Sequence, residues 1–273
     1  ARWTLAMLAP GGPPAPAAQG PAAKGELIAY YPPKAADVPE VTIDPADVED
    51  LYDPSWTLKC AGGRWPVYQI HEDPPISLVP NFLSEQEVAH FLSLVQDRFK
   101  PSQVDINFNS TGASTDTRQR TSYGCVIEES ETAMVRSVEE RAAKLAGMPL
   151  PNLELLQCVR YQQGQFYKVH HDGQYRPVTV FLYLNDLPVA AEGETYFPTL
   201  GVRVLPRQGF AVMWPNVLSD GSKDERVFHA GMPPTRGVKY GINCFFFEKP
   251  CRQKAGLSAP MDDDDDDDGS DCH

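Results

Sequence analysis

The chain has 273 residues, 42% of them hydrophobic, which is enough for a sizeable core. Its formal net charge is −13 at pH 7, and much of this charge comes from the aspartate run at 262–268. The basic residues are scattered and form no Lys/Arg-rich block, which argues against a nucleic-acid partner. The cysteines lack CxxC spacing and so give no structural zinc signature, and they leave the redox compartment open.

Residues 1–75 are rich in Pro, Ala and Gly and show little periodicity. We interpret them as a linker that becomes an irregular extension. The opening residues, ARWTLAMLAP, are too short and broken for a membrane-spanning helix, so no membrane span is predicted. They read instead as the remnant of a signal or anchor segment.

Two helices are predicted next. In PNFLSEQEVAHFLSLVQDRF, Ser84 and Glu87 form a capping-box pattern, and the apolar residues that follow fall on one helical face. A second helix is predicted from about Glu129 to Ala146, with Gly147 as its stop signal. Both helices are expected to pack on a sheet.

Beyond Leu153 the sequence changes to short β-rich runs separated by turn residues. The runs are LELLQCVRY, VTVFLYL, VRVL, GFAVMW and VKYGINCFFF. Strands spaced in this way predict a sandwich or jelly roll, which places one folded domain at 76–250. Residues 251–273 are predicted to be a disordered acidic tail, because adjacent like charges repel in any compact form.

One short segment carries the strongest chemical signal. In YQQGQFYKVHHD, His170 and Asp172 stand two residues apart on a predicted strand, so their side chains face the same way. His229 is the best-placed third ligand, and Lys239 follows ten residues later. Two histidines, one carboxylate and open positions describe a non-haem Fe(II) site. An HxD pair alone is also common on surface strands, so the prediction depends on the combination.

These motifs together resemble the prolyl 4-hydroxylase family of Fe(II)/2-oxoglutarate-dependent dioxygenases. The resemblance covers roughly 80–249 and rests on the order of PNFLS, RTS at 120–122, YxxGQxY before HxD, EGETYFP at 192–198 and HAGMPPTRGVKY from His229. It implies an α+β fold, in which a double-stranded β-helix (jelly-roll) core is braced by N-terminal helices. It also makes 76–250 the dioxygenase domain.

The resemblance implies a role for each site residue. His170, Asp172 and His229 would bind Fe(II), and Lys239 would hold the far carboxylate of 2-oxoglutarate.

Four further positions match residues of the same site. Thr195 and Tyr161 match residues that contact the cosubstrate. Tyr167 matches a tyrosine of the same pocket, and Arg176 matches an arginine that holds the peptide substrate, so these two are the catalytic candidates. Arg120 is a further substrate candidate. Each residue also fits an ordinary structural role, such as core packing for the tyrosines or a charged turn for Arg176.

The implied reaction is hydroxylation of proline in a peptide or protein, with O2 and 2-oxoglutarate giving succinate and CO2 and with ascorbate restoring the iron. Two alternatives stay open: an oxygenase of this fold that acts on another residue or a small molecule, and a non-catalytic peptide-binding module. The resemblance favours the endoplasmic reticulum or secretory pathway, although the residues fix neither compartment nor oligomeric state.

The sequence departs from the family pattern near the substrate. Phe245 and Phe247 occupy positions where a Trp and a His are usual, Glu192 stands in place of a usual Gly, and the loop from Asp172 to Arg176 is short. Phe247 cannot donate a hydrogen bond to a peptide carbonyl. We therefore expect peptide preference to differ from that of typical relatives.

Overall fold

The structure is a computed structural model that describes residues 3–4, 42–43, 57–59, 66–102 and 118–252. Most of the predicted linker and most of the predicted acidic tail lie outside the described residues. The strands, in chain order, are β1 Trp3–Thr4, β2 Thr42–Ile43, β3 Thr57–Lys59, β4 Val67–His71, β5 Ile76–Val79, β6 Lys100–Pro101, β7 Tyr123–Ile127, β8 Leu156–Tyr161, β9 Tyr167–His170, β10 Val178–Tyr183, β11 Thr195–Phe197, β12 Val202–Val204, β13 Ala211–Pro215, β14 His229–Gly231 and β15 Lys239–Phe246.

The strands form two main antiparallel sheets. The large sheet has nine strands in the order β3-β4-β5-β13-β10-β15-β8-β7-β6, and the small sheet has four in the order β12-β11-β14-β9. Strands β1 and β2 pair separately. All five β-rich runs read from the sequence contain strands, namely β8, β10, β12, β13 and β15. These sheets confirm the predicted jelly-roll core.

Side chains on the large sheet alternate between two cores, as the two-residue period of a strand requires. On β10, Val180 and Leu182 face the core beneath the helices, whereas Phe181 and Tyr183 face a second core that includes residues of the small sheet. The site described below lies on the second face. Burial of both faces explains why VTVFLYL reads as a continuous apolar run rather than an alternating one.

The two predicted helices are confirmed. Helix α1 spans Glu85–Val95, and its N-cap Ser84 forms the predicted capping box with Glu87. Helix α2 spans Ala133–Ala146, begins after the N-cap Thr132 rather than at Glu129, and ends at Gly147 in the left-handed region. Both helices bury apolar residues against the large sheet. Short 3-10 helices lie at Leu150–Asn152, Val189–Ala191 and Glu225–Val227.

Ordered structure extends past both predicted domain limits. Strand β4 precedes residue 76 and pairs with β5, so the large sheet begins inside the segment assigned to the linker. At the other end, the side chain of Arg252 is only 4% exposed, and its Nη2 donates to Glu139 Oε1 at 2.9 Å. The division of the chain into three parts remains a prediction, but these contacts place residue 252 with the fold.

Removing one partner of the Arg252–Glu139 pair is expected to destabilise the fold substantially. The side chain of Glu139 is 0% exposed and that of Arg252 is 4% exposed. In Arg252→Ala, Glu139 loses its charged partner, and we expect the free energy of unfolding to fall by about 3 kcal/mol in urea titrations. Arg136→Ala is the matched control, because Arg136 pairs with Glu140 at the surface and its loss is expected to cost less than about 0.5 kcal/mol. Equal losses in both variants would contradict the prediction.

Glu192 adopts a backbone conformation that favours glycine, the residue usual at this position in the family. Its φ is 57°, in the left-handed region. Because a Cβ is disfavoured there, Glu192→Gly is expected to raise the free energy of unfolding by about 0.5–1 kcal/mol, measured by urea titration. Glu192→Ala removes the carboxylate but keeps the Cβ, so it is expected to show no such gain. A gain in both variants would instead assign the effect to the carboxylate.

Candidate active site

The second face of the large sheet carries a cavity of about 170 Å³. All eight residues predicted to form the site line it, as does Arg120. They come from strands in both sheets and from the loops that follow them. The fold thus brings together eight predicted residues that span 78 positions in the sequence, from Tyr161 to Lys239.

Three side chains converge as a potential metal site. His170 ends β9, and its directly opposite partner across the sheet is His229, the first residue of β14. Asp172 Oδ1 lies 3.6 Å from His170 Nε2 and 3.7 Å from His229 Nε2. The three ligand atoms lie within 4.8 Å of one another. One prediction was wrong in detail: β9 ends at His170, so Asp172 reaches the group from the loop after the strand.

Hydrogen bonds orient all three side chains. His170 Nδ1 lies 2.8 Å from the Lys168 carbonyl, and His229 Nδ1 lies 3.0 Å from the Val227 carbonyl. A carbonyl oxygen can only accept a hydrogen bond, so each Nδ1 carries a proton, and in the neutral ring Nε2 then holds the lone pair that a metal requires. Thr179 Oγ1 donates to Asp172 Oδ2 at 2.7 Å, which leaves Oδ1 for a metal.

The electrostatics favour the protonation states of Asp172 and His229 that bind a metal. Burial opposes ionisation of Asp172, but His229, His170 and the Thr179 hydrogen bond outweigh it and hold the pKa well below the usual range. Burial lowers the pKa of His229 to about 4, although Asp172 acts in the opposite direction. At neutral pH, Asp172 is therefore a carboxylate and His229 is a neutral imidazole, and these are the forms that a divalent metal requires.

Lys239 is a buried cation facing the same cavity. Its residue is 1% exposed, and Nζ lies 5.4 Å from the ring centre of Tyr161 and 5.5 Å from that of Phe181. Burial lowers its pKa to about 7, partly offset by the Glu194 carboxylate. Within the described part of the chain, no carboxylate lies within salt-bridge distance of Nζ. A buried ammonium without such a partner is suited to bind an anionic ligand.

Thr195 and Tyr161 lie beside Lys239. Tyr161 pairs directly with Lys239 across β8 and β15, and the Tyr183 hydroxyl donates to Thr195 Oγ1 at 2.8 Å. Gly231 faces Thr195 across β14 and β11. A Cβ at Gly231 would lie 3.1 Å from the Tyr161 hydroxyl, so glycine keeps this part of the cavity open.

Tyr167 stacks on a potential metal ligand. Its ring centre lies 3.5 Å from that of His170, with 18° between the planes. The Arg120 guanidinium lies 4.5 Å from the Tyr167 ring centre. Burial raises the pKa of Tyr167 to about 12, so the hydroxyl stays protonated at neutral pH.

Arg176 is tied to neighbouring protein groups. Its Nε and Nη2 donate to the two Glu154 carboxylate oxygens at 2.6 and 2.7 Å, and Nη1 donates to the Asp172 carbonyl at 3.1 Å. The guanidinium also lies 4.1 Å from the Phe245 ring centre. These contacts fix the loop that carries Asp172, while the predicted role of Arg176 towards a peptide stays a prediction.

Sequence reasoning missed several residues of the site. The cavity is also lined by Gln157, His171, Tyr175, Phe181, Trp214 and Asn243. Thr179 and Asn216 hold Asp172 in place through a chain of hydrogen bonds. Asn216 Nδ2 donates to Thr179 Oγ1 at 2.8 Å, and Thr179 Oγ1 donates to Asp172. The inward-facing period of β10 and β15 could have indicated Phe181 and Asn243. The same period on β10 includes Thr179, but no sequence spacing identifies Thr179 or Asn216 as a support for Asp172.

Comparison with known proteins gives the same class as the fold and the site. The model of the 2OG-Fe(II) oxygenase superfamily matches residues 156–247, which include the triad and Lys239. Viral collagen prolyl hydroxylase from Paramecium Bursaria Chlorella virus-1, in its 2OG complex, has the same fold, with a TM-score of 0.51 and 20% identity over 68% of this chain and 98% of that chain. The protein is a 2OG-Fe(II) dioxygenase.

Curated relatives identify the family within this superfamily. Prolyl 4-hydroxylase 5 of Arabidopsis thaliana is 32% identical over 216 residues, which cover 68% of this chain and 72% of the relative. Prolyl 4-hydroxylase 1 of the same plant is 31% identical over 208 residues, covering 67% and 70%. The chain belongs to the prolyl 4-hydroxylase family. None of the helices that the structure describes is long and apolar enough to cross a membrane.

Proposed function

We propose that this protein hydroxylates proline in peptide or protein substrates, using Fe(II), O2 and 2-oxoglutarate, with ascorbate as reductant. One observation carries the proposal: two histidines and a carboxylate converge in the cavity that also contains the buried cation Lys239. The proline specificity is supported by the relatives, which are prolyl 4-hydroxylases by name.

The donor set fits a non-haem iron. His170, Asp172 and His229 would hold Fe(II), and their oriented Nε2 and Oδ1 atoms suit a facial two-histidine, one-carboxylate arrangement. Bound Fe(II) supplies the activation of O2, coupled to conversion of 2-oxoglutarate into succinate and CO2. Tyr167 holds the His170 ring by stacking.

The cosubstrate would lie between the metal group and Lys239. The Lys239 ammonium neutralises the distal carboxylate of 2-oxoglutarate, and the Thr195 and Tyr161 hydroxyls offer hydrogen bonds beside it. The aromatic rings around Nζ keep water away, which strengthens the charge interaction.

The peptide would enter past aromatic groups. Phe245 keeps an aromatic wall where a Trp is usual, and it lies against Arg176 in the cavity lining. Phe247 instead contacts the Tyr175 ring, at 5.5 Å between ring centres. Tyr175 lies in the short loop after Asp172 and lines the cavity, so it provides a second apolar surface for a proline ring.

Peptide mass spectrometry tests this proposal. Proline-rich peptides would be incubated with the protein, Fe(II), 2-oxoglutarate and ascorbate, beside a His170→Ala control. We expect one oxygen added to proline in the wild type and none in the control. Turnover of 2-oxoglutarate that needs His170, without peptide oxidation, would favour an oxygenase with another substrate. No turnover at all would favour a binding module.

Tyr175→Ala is expected to separate substrate binding from cosubstrate turnover. Removing the ring deletes apolar surface from the cavity lining, so KM for a peptide substrate should rise roughly tenfold. The KM for 2-oxoglutarate should stay unchanged. Tyr175→Phe keeps the ring and should retain the wild-type peptide KM. Steady-state kinetics with both substrates check this, and an unchanged peptide KM in Tyr175→Ala would refute the assignment.

A further inference from the structure

Two cysteines lie opposite each other away from the active site. Cys125 on β7 and Cys158 on β8 are directly paired in the antiparallel register. Opposite residues in such a pair project to the same face, with Cα atoms about 4.5–5.5 Å apart. Disulfide-bonded cysteines usually have Cα atoms about 4.4–6.8 Å apart. The sheet register therefore already holds these two side chains at a spacing that suits a disulfide.

Both thiols lie on the helix side of the sheet. Cys158 is buried in the core beneath α1 and α2, and the half-buried Cys125 packs against that core. Gln157 alternates with Cys158 on β8 and lines the cavity on the opposite face. A bond between the two sulfurs would consequently leave the cavity lining in place.

The surroundings give the two thiols different roles. A hydrogen bond from Cys158 lowers the pKa of Cys125, and the Arg98 and Arg160 guanidinium groups act in the same direction against burial. Cys125 is also the more accessible of the two. Cys125 is therefore better placed than Cys158 to attack first.

Strand β7 is weakly held on one side. Its inner neighbour is β8, but its outer neighbour β6 has only two residues and pairs with it at Gly124 and Tyr123. A covalent link from Cys125 to Cys158 would fasten this near-edge strand to the centre of the sheet.

We propose that Cys125 and Cys158 form a thiol–disulfide site, oxidised by exchange with a small disulfide such as glutathione disulfide, that links β7 to β8. The Cys125 thiolate attacks one glutathione sulfur, the S–S bond breaks, and one glutathione thiolate leaves. The Cys158 thiol then attacks Cys125 Sγ in the mixed disulfide and expels the second glutathione, whose sulfur takes up the Cys158 proton. Two protein thiols are oxidised, and one glutathione disulfide is reduced to two glutathione molecules.

The second step is favoured by the first. The pKa of Cys158 is raised chiefly by its hydrogen bond to Cys125, and burial and the Cys125 charge add to this. Once Cys125 is in the mixed disulfide, its thiolate no longer raises the Cys158 pKa. Cys158 then ionises more readily beside the sulfur that it attacks.

The test is peptide mapping of the full chain after incubation at graded ratios of oxidised to reduced glutathione. Remaining thiols are alkylated, and the digest is analysed without reduction. We expect a linked peptide pair containing Cys125 and Cys158, two hydrogens lighter than the sum of the separate peptides. The link should raise the melting temperature by on the order of 5–10 °C and disappear on reduction.

Matched variants make the result specific. Cys125→Ser is expected to remove both the link and the thermal shift, and Cys158→Ala is expected to leave one glutathione on Cys125. Cys244→Ala is the control, since Cys244 is buried in the same core but pairs with Val180, and it should form the link normally. Alkylation of both Cys125 and Cys158 under conditions that glutathionylate the exposed Cys251 would overturn the proposal. A melting temperature lowered by the link would also overturn it.

Discussion

Lys239→Met is expected to raise the KM for 2-oxoglutarate by on the order of 10²–10³-fold, because it removes the buried cation that faces the distal carboxylate. Methionine keeps a similar length and apolar character, so the cavity wall should persist. Lys249→Met is the matched control, since Lys249 is 76% exposed and lies outside the cavity. The KM of this variant for 2-oxoglutarate should match that of the wild type. Succinate production at varied 2-oxoglutarate measures the effect.

The same substitution should stabilise the ligand-free protein. Burial lowers the pKa of Lys239 from 10.5 to about 7, so the folded chain binds fewer protons than the unfolded chain between these values. Stability therefore rises with pH across this window, and the penalty is complete below about pH 7. Lys239→Met removes a penalty on the order of 5 kcal/mol at most. Urea titrations should show its advantage at pH 7 and a much smaller one above pH 10.

Proton uptake links the two effects. A bound carboxylate favours the charged form of Lys239, so 2-oxoglutarate binding near pH 8 should take up a proton. Calorimetry in buffers of different ionisation enthalpy measures this uptake. Binding without proton uptake, together with an unchanged KM in Lys239→Met, would show that another group holds the carboxylate.

The convergence of His170, Asp172 and His229 could be predicted from the sequence because part of its signal is local. The HxD spacing places His170 and Asp172 near each other in any extended segment, and the motif order identifies His229. The pairing of His229 with His170 depends on the register of two short strands from distant parts of the chain. That register is set by tertiary packing, and no local pattern encodes it.

Residues that support the site could not be predicted for a related reason. Glu154 bonds to Arg176, and Asn216 bonds to Thr179, across segments of the chain that only the tertiary fold brings together. Polar residues inside β-rich runs carry no periodic signal that separates a buried hydrogen bond from a solvent-facing position. The short strands β11 and β14 escaped prediction as elements because each lies next to Pro or contains Gly and lacks the two valines that marked the equally short β12.

Asp172→Asn is expected to abolish iron-dependent turnover and to weaken Fe(II) binding more than loss of any supporting group. An amide keeps the shape of the side chain but is neutral, so it loses the negative charge that lies near both Nε2 atoms and would balance the metal. Anaerobic Fe(II) titration and 2-oxoglutarate turnover measure the two effects. Asp220→Asn is the control, because Asp220 lies on the exposed surface and bonds only to Ser222 among the described residues.

Thr179 gives a graded comparison at the same carboxylate. Thr179→Val removes the hydroxyl that holds Asp172 Oδ2 while keeping the side-chain volume, and it is expected to lower Fe(II) affinity roughly 10–100-fold. Thr179→Ser keeps the hydroxyl and should remain within a few-fold of the wild type. Because Asn216 also bonds to Thr179 Oγ1, the valine variant frees two polar groups in a buried position, whereas the serine variant frees none. If valine and serine weakened iron binding equally, packing around Thr179 rather than its hydrogen bond would be what positions the carboxylate.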